Sequence, residues 1–366
     1  MGNGEASGAL HLDVETRNLQ SGQVVQGMVY LVVTQPTPAH DLVIYFKGKE
    51  KTKWSIRRKE RSLLTGRDEY VTYSYSGHQD IVKQRFVIFV FTASVLQPGQ
   101  YSFPFSVQTP AGLPNTFSYK PHYNAILDPG PTVATIAYKL VAKVEGGEAN
   151  VKKSSIHLNL TRPVTEVSAA VSGSTNARIS TWCCLSKGSV KVSADFDKNM
   201  FVPGDTATIS IDVNNEESQL AGTELHATLT RVVRLRDQNG RQHVITNSVN
   251  KVSLREAIAP GKGLMSSTKR TLQLAIPRDE TMESAGTVAG RLIECEYFLS
   301  GEVEMDGCCM CCGDTPRVSK AMVLYPAAMM KVALPPPPAD WNPQAMARQD
   351  FVVAYQGPAP SAPPMP

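Results

Sequence analysis

Six of the seven cysteines of this chain occur in adjacent pairs, an arrangement that suits metal binding better than disulfide formation. Residues 308–312 have the sequence Cys-Cys-Met-Cys-Cys, which contains two overlapping C-x-x-C pairs. This spacing lets two thiolates clamp one tetrahedral ion, and a second pair is then required. Cys183-Cys184 is the remaining adjacent pair. The pattern predicts a structural Zn²⁺ site with ligands drawn from Cys183, Cys184, Cys308, Cys309, Cys311 and Cys312.

Three other roles for these cysteines stay open. Exposed pairs could be palmitoylated, which would add membrane affinity. They could also sense redox state, or they could be ordinary buried thiols. Cys295 lies within a predicted strand and is expected to be structural. No cofactor other than zinc is expected.

A second group of chemically active residues is the basic run 47–61, with eight cations and two acids in fifteen residues. Because alternate residues of a strand point to one face, four lysines should form one row. Such a row favours an anionic partner: an acidic tail, a phosphorylated segment or a lipid headgroup. The alternative is a solvated face that protects an edge strand. The predicted binding residues are Lys47, Lys49, Lys51, Lys53, Arg57 and Arg58.

Catalytic patterns are missing from the sequence. The seven histidines are scattered, with no His-Glu-x-x-His, no Gly-x-Ser-x-Gly and no phosphate-binding glycine loop, so we do not expect an enzyme. Gly2 is a candidate for myristoylation, although Ala6 stands where that pattern requires Ser or Thr. A single acyl chain would in any case anchor the chain only marginally.

The bulk composition is that of a soluble globular protein. The 366 residues are 42% hydrophobic and 19% charged, and the net charge of +4 does not indicate nucleic-acid binding. No apolar run approaches the roughly 18 residues of a membrane span, and no secretory leader is evident. A cytoplasmic protein is the resulting expectation.

The elements that must position these residues are strands, because alternating apolar residues are interrupted by Gly and Pro turns and no helical stripe is convincing. The predicted organisation is a flexible leader (1–9), a β-sandwich (10–165), a linker (166–186), a second β-sandwich (187–330) and a disordered proline-rich tail (331–366).

The two sandwiches are predicted to be related. Residues 10–33 and 190–213 each contain a strand, a basic-Asn pair, a Gly turn and a second strand. The two copies lie about 180 residues apart, which indicates two similar β domains rather than one large domain.

Several segments resemble the arrestin family, and most closely its arrestin-domain-containing (α-arrestin) branch. Residues 21–29 are similar to the family's G-x-x-V-x-G-x-V opening, and Gly99-Gln-Tyr-Ser-Phe-Pro-Phe105 is similar to its G-x-Y-x-F-P-F strand. The second copy resembles the opening of the C-terminal domain. Further matching segments are 46–54, 113–117 and 136–140. The resemblance spans about residues 10–326, with both domains in order.

The resemblance implies an all-β fold of two tandem immunoglobulin-like β-sandwich domains, and a non-catalytic adaptor that selects cargo in endocytosis and endosomal protein transport. It also implies a binding role for the tail tetrapeptide Pro360, Ser361, Ala362 and Pro363. Similar proteins use Pro-Ser/Thr-Ala-Pro to bind a subunit of the endosomal sorting complex (ESCRT). The alternative is a chance tetrapeptide in a tail rich in Pro, Ala and Ser.

The expected partners follow from this resemblance: membrane-protein cargo tails, the sorting-complex subunit and, indirectly, a ubiquitin ligase. The chain lacks the Pro-Pro-x-Tyr motif with which many relatives recruit a ligase directly. Peripheral association with endosomes or the plasma membrane is compatible with this role. Two other functions stay open: a retromer-like sorting-coat subunit, and a metal- or redox-responsive binding protein centred on the cysteines.

Overall fold

A computed structural model of the chain describes residues 7–61, 67–121, 129–146, 151–163, 168–181, 185–307, 314–325 and 344–345. In these ranges the protein is built almost entirely of strands. Its one α-helix there, α1 (Glu280–Ser284), has five residues and is capped by the Asp279 carboxylate, which accepts the Met282 N–H. No helix of the described part is long and apolar enough to cross a membrane.

The first half of the chain forms a two-sheet sandwich. Its strands are β1 (Gly8–Val14), β2 (Asn18–Gln20), β3 (Val24–Val33), β4 (Thr37–Pro38), β5 (Asp41–Arg61), β6 (Asp68–Val90), β7 (Val95–Leu96), β8 (Gly99–Gln108), β9 (Phe117–Tyr119), β10 (Val133–Glu145), β11 (Val151–Lys152) and β12 (Ser154–Thr161).

One sheet of this sandwich has the order β11-β1-β3-β8, and the other has β2-β12-β10-β5-β6, with β9 paired to β10. Strands β4 and β7 pair separately. Alternate residues of each main strand are buried between the sheets, as the period-two pattern predicts. Aromatic rings fill much of the core: Phe46 stacks on Tyr138, and Phe91 meets Phe89 and Phe103 edge-on.

The second half forms another two-sheet sandwich. Its strands are β13 (Val171–Thr181), β14 (Leu185–Phe196), β15 (Met200–Phe201), β16 (Thr206–Asn214), β17 (Gly222–Arg236), β18 (Gln242–Ile258), β19 (Gly263–Leu264), β20 (Arg270–Ala275), β21 (Val288–Ala289), β22 (Ile293–Met305) and β23 (Arg317–Leu324).

The sheets of the second sandwich have the orders β13-β14-β16-β19 and β15-β23-β22-β17-β18, with β20 paired to β16 and β21 to β22. The all-β, two-domain fold class predicted from the sequence is thereby confirmed. A strand of the proline-rich tail, β24 (Gln344–Ala345), adds to the first sandwich by pairing in parallel with β8, which the sequence did not suggest. The rest of 331–366 lies outside the described residues.

The predicted linker 166–186 requires a correction. Residues 171–181 are the edge strand β13, which pairs with β14 over almost its whole length. The small polar residues of this segment are typical of a linker, but Ala177 and Ile179 are buried in the core while Asn176 and Arg178 are exposed. An edge strand needs only a few apolar residues on one face, so composition alone misidentified it.

The repeated sequence pattern corresponds to one pair of adjacent antiparallel strands in each sandwich. In each copy the Gly turn requires a backbone conformation that other residues rarely adopt: φ is 92° at Gly22 and 97° at Gly204. The strands joined through these turns lie next to each other, β1 beside β3 and β14 beside β16. Local turn chemistry therefore explains why the two copies share this sequence.

Candidate anion-binding site

Strand β5 carries most of the basic run, and its two faces have different surroundings. Residues with even numbers, such as Glu50, Thr52 and Trp54, are buried. Residues with odd numbers from Lys47 to Lys53 are half-buried or exposed on the opposite face. The four lysines of the predicted row therefore share one outward face of the sheet.

A cleft of about 330 Å³ opens on this face at the Lys47 end of the row. We call it the lysine cleft, defined by Lys47, Lys83, Lys139, Lys143 and Lys153; Tyr45, Val141 and Ser155 complete its wall. In the register of the sheet, Lys139 of β10 lies opposite Lys47 of β5, which in turn lies opposite Lys83 of β6. Three cations thus lie side by side across three adjacent strands.

This arrangement is electrostatically unfavourable in the free protein. Like charges directly opposite each other destabilise a sheet. Burial lowers the pKa of the Lys47 ammonium, and Lys83, Lys139, Lys153 and Lys49 lower it further. Among the described residues only Lys143 of the five cleft lysines has an ion pair, with Glu145 at 3.7 Å. The cleft therefore has unneutralised cations that an anion with several oxygens could satisfy.

A hydrogen-bonded network adjoins the cleft at Tyr45, which lines it. Arg85 binds Asp41 (Nη2 to Oδ2, 2.6 Å) and Glu145 (Nη2 to Oε2, 2.9 Å), and the Tyr45 hydroxyl donates to Glu145 at 2.7 Å. Burial alone would raise the pKa of Glu145, but the hydrogen bonds from Tyr45 and Arg85 outweigh burial and lower that pKa. Arg85 thus pairs with both acids, and Glu145 additionally pairs with Lys143, so Lys47, Lys83, Lys139 and Lys153 keep no ion pair with these acids.

The rest of the predicted row continues from the cleft along β5. Lys49 forms an exposed ion pair with Asp80 at 3.3 Å, whereas Lys51 and Lys53 have no ion pair with a described residue. Arg57 and Arg58 are exposed near the end of the β5–β6 hairpin, each 6.0 Å from the ring centre of a tyrosine, Tyr70 and Tyr73 respectively. The row of cations therefore continues on the same face as far as Arg57, whereas Arg58 points to the opposite face of the strand.

The buried face of β5 contacts the second sandwich, and Glu50 is central to that contact. Its side chain is 1% exposed. The carboxylate accepts three backbone N–H groups, from Arg291 (3.1 Å), Leu292 (2.9 Å) and Ile293 (2.7 Å). Burial raises the pKa of Glu50, and these three hydrogen bonds oppose that rise. A Cβ atom at Gly290 would collide with the same carboxylate, so glycine is required there.

Two further inward residues of β5 extend this contact. The Thr52 hydroxyl donates to the carbonyl oxygen of Arg236 at 2.7 Å. The Trp54 ring stacks on His243 with 5.8 Å between ring centres, and burial lowers the pKa of His243. One strand thus presents cations on one face and joins the two sandwiches with the other.

Sequence reasoning found Lys47 of the cleft but missed Lys83, Lys139, Lys143 and Lys153. They lie in three segments of the chain distant from Lys47 in sequence: Lys83 on β6, Lys139 and Lys143 on β10, and Lys153 between β11 and β12. Only the packing of these strands brings them to Lys47. The sequence does show basic residues at outward positions of other strands. To assign them to the same site as Lys47, however, one must know which residues the strand register places opposite each other.

Several other predicted residues lie outside the described part of the chain. They are Gly2, the six paired cysteines and the tetrapeptide 360–363. Cys295 is described and is buried, with its Sγ 3.8 Å from the carbonyl oxygen of Ala285. Burial raises the pKa of the Cys295 thiol to about 12, which disfavours a reactive thiolate.

Comparisons with known proteins match both sandwiches. The model of the arrestin (or S-antigen) N-terminal domain matches residues 9–164, and that of the arrestin (or S-antigen) C-terminal domain matches residues 186–327. A curated relative, arrestin domain-containing protein A of Dictyostelium discoideum, is 26% identical over 291 residues. That match covers 78% of this chain but 46% of the relative, so the chain spans less than half of the relative's length.

Proposed function

Because the chain belongs to the arrestin-domain-containing (α-arrestin) family, we propose that it is a non-catalytic trafficking adaptor that binds membrane-protein cargo and links it to endosomal sorting (ESCRT/ubiquitin) machinery. Family membership supports the general adaptor role. Three parts of the proposal go beyond family membership: the cargo step, the sorting step, and a location in the cytoplasm at endosomal or plasma membranes.

The lysine cleft is the observation that carries the cargo step. Its cations face outward, and those at Lys47, Lys83, Lys139 and Lys153 have no ion pair with a described residue. From Lys47 to Lys53 the row is about 20 Å long at roughly 3.4 Å per residue. An extended segment of about six residues, with acidic or phosphorylated side chains at alternate positions, would match this spacing.

We expect the full chain to bind such a peptide, and to bind it more weakly as salt rises, because exposed charges are screened within about 8 Å at physiological ionic strength. Fluorescence anisotropy with a labelled peptide phosphorylated at alternate positions measures this affinity at several salt concentrations. The matched control is the same peptide with unphosphorylated serines. Equal affinity for both peptides, or salt-independent binding, would refute the cargo site.

The sorting step is proposed to depend on the tail tetrapeptide 360–363. Proline restricts the backbone of an unbound peptide, so proline-rich peptides in general lose little conformational entropy when they bind. We expect the double variant Pro360→Ala/Pro363→Ala to lose capture of the purified ubiquitin-conjugating-enzyme-variant domain of the sorting complex in a pull-down. The variant Pro335→Ala/Pro336→Ala changes two prolines elsewhere in the tail and should be captured like the wild type. Unchanged capture of the first variant would rule the tetrapeptide out.

A further inference from the structure

A second cluster of charged side chains lies on the second sandwich, away from the lysine cleft. Glu224 and His226 are on β17, and Glu304 is on β22. Glu224 and Glu304 are directly opposite each other in the register of these antiparallel strands. Two carboxylates in this relation repel each other, and the ring of His226 lies beside both.

The ligand atoms of the three residues converge. The Nε2 atom of His226 is 3.2 Å from Glu304 Oε2 and 4.0 Å from Glu224 Oε2. The three ligand atoms all lie within 4.8 Å of one another. Ligands at about 2.1 Å from a tetrahedral ion are separated by roughly 3.4 Å, so a small side-chain rotation of Glu224 completes the geometry.

The second nitrogen of the imidazole orients the ring. His226 Nδ1 is 2.8 Å from the Ser253 hydroxyl on β18, and the histidine side chain is only 6% exposed. When Nδ1–H donates to Ser253, the Nε2 lone pair points at the two carboxylates. A ligating histidine is typically held in this way by a hydrogen bond from its other nitrogen.

The remaining glutamates of this sheet face have arginine partners. Glu302 binds Arg317 Nε at 2.7 Å, Glu294 binds Arg236 at 3.0 Å, and Glu296 binds Arg234. Within the described ranges, neither Glu224 nor Glu304 has an ion pair with a lysine or arginine. Arg255 lies opposite Glu224 on β18, but it is exposed and forms no ion pair there with a described carboxylate. This pair of carboxylates therefore lacks the cation that its neighbours have.

We propose that Glu224, His226 and Glu304 bind one divalent transition-metal ion of the Zn²⁺ type. Imidazole combined with carboxylate is a donor set that suits zinc, whereas Ca²⁺ and Mg²⁺ prefer oxygen ligands alone. Three protein ligands leave a fourth position for water. The ion joins β17 to β22 and neutralises the opposed carboxylates. This site is separate from the cysteine site predicted from the sequence.

The test is metal content of the full chain after equilibrium dialysis against Zn²⁺, comparing the wild type with Glu304→Gln. Glu304 is largely exposed, so this change should leave the fold intact. We expect the variant to bind one equivalent less than the wild type, or to bind that equivalent at least about tenfold more weakly. Glu296→Gln, on the same strand and face, is the control and should retain the wild-type stoichiometry.

The design separates this ion from any ion held by cysteines, because thiolate-bound zinc would be present equally in all three proteins. Substitution by Co²⁺ gives a second readout: thiolate ligation produces intense charge-transfer absorption, and imidazole–carboxylate ligation does not. A Co²⁺ spectrum with a thiolate-free component that disappears in Glu304→Gln and His226→Gln supports the site. Equal zinc content and identical spectra in the wild type and both variants would overturn it.

Discussion

The double variant Lys47→Glu/Lys139→Glu is expected to lose binding of a phosphorylated or acidic peptide, with an affinity at least about 100-fold below that of the wild type. Each charge-assisted hydrogen bond contributes about 1.5–3 kcal/mol, so the loss of two exceeds the roughly 2.8 kcal/mol that corresponds to 100-fold. The two residues are directly opposed in the centre of the lysine cleft. Fluorescence anisotropy at fixed ionic strength measures the change.

The electrostatics of the cleft allow a loss of peptide binding to be distinguished from misfolding of the variant. Because burial and neighbouring lysines lower the pKa of Lys47, the folded chain disfavours its charged form. Lys47→Gln should therefore raise the melting temperature at neutral pH while it weakens peptide binding. In the wild type this penalty is present below the lowered pKa and is relieved as the pH rises toward the ordinary lysine value.

A matched control is the charge reversal of two exposed lysines on the second sandwich, Lys191→Glu/Lys251→Glu, which gives the same change in net charge. It should leave the affinity within about twofold of the wild type, since those residues do not line the lysine cleft and their exposed charges are screened by salt. If the cleft variant and this control lose affinity equally, the long-range net charge, and not the cleft, governs binding.

Removal of the Glu50 side chain is expected to have the largest effect on stability. Glu50→Ala removes the acceptor of three N–H groups, of which those of Leu292 and Ile293 are buried and cost about 1–3 kcal/mol each, while it relieves the cost of burying a carboxylate. We expect a net loss of about 3 kcal/mol at this contact. Because two-domain proteins need not unfold in one step, amide hydrogen exchange at residues 291–293 is the direct measurement. Exchange there should accelerate about 100-fold.

The conservative variant and the pH dependence sharpen this prediction. Glu50→Gln retains one acceptor oxygen and should lie between the wild type and Glu50→Ala. Since burial raises the pKa of Glu50, its protonated form is favoured in the folded state, and the stability of this contact should fall as pH rises through that pKa. Glu50→Gln should lack this dependence. Glu60→Ala, at an exposed position of the same strand, is the control. If Glu50→Ala leaves amide exchange at residues 291–293 unchanged, the contact is dispensable.

Much of the fold was predictable because its determinants are local. Alternating apolar residues indicate strands, and a glycine turn such as that at Gly22 or Gly204 indicates a hairpin whatever the rest of the chain does. The same local rule placed Lys47 and Lys53 on one face of β5. The segment around Ile179 was misassigned because its burial depends on a partner strand, β14, and not on its own composition.

The sequence by itself therefore determined two β-sandwiches, a pair of adjacent strands joined through a glycine turn in each, and a row of cations along one strand. The tertiary structure decided which residues complete each site. The register of the sheet brings Lys139 and Lys83 to Lys47. Packing of the two sandwiches brings Glu50 to the N–H group of Leu292, 242 residues away. Pairing of β17 with β22 brings Glu304 to His226. The physical reason is that strand periodicity specifies the face on which a side chain lies, whereas the residue opposite it depends on a register set by the whole core.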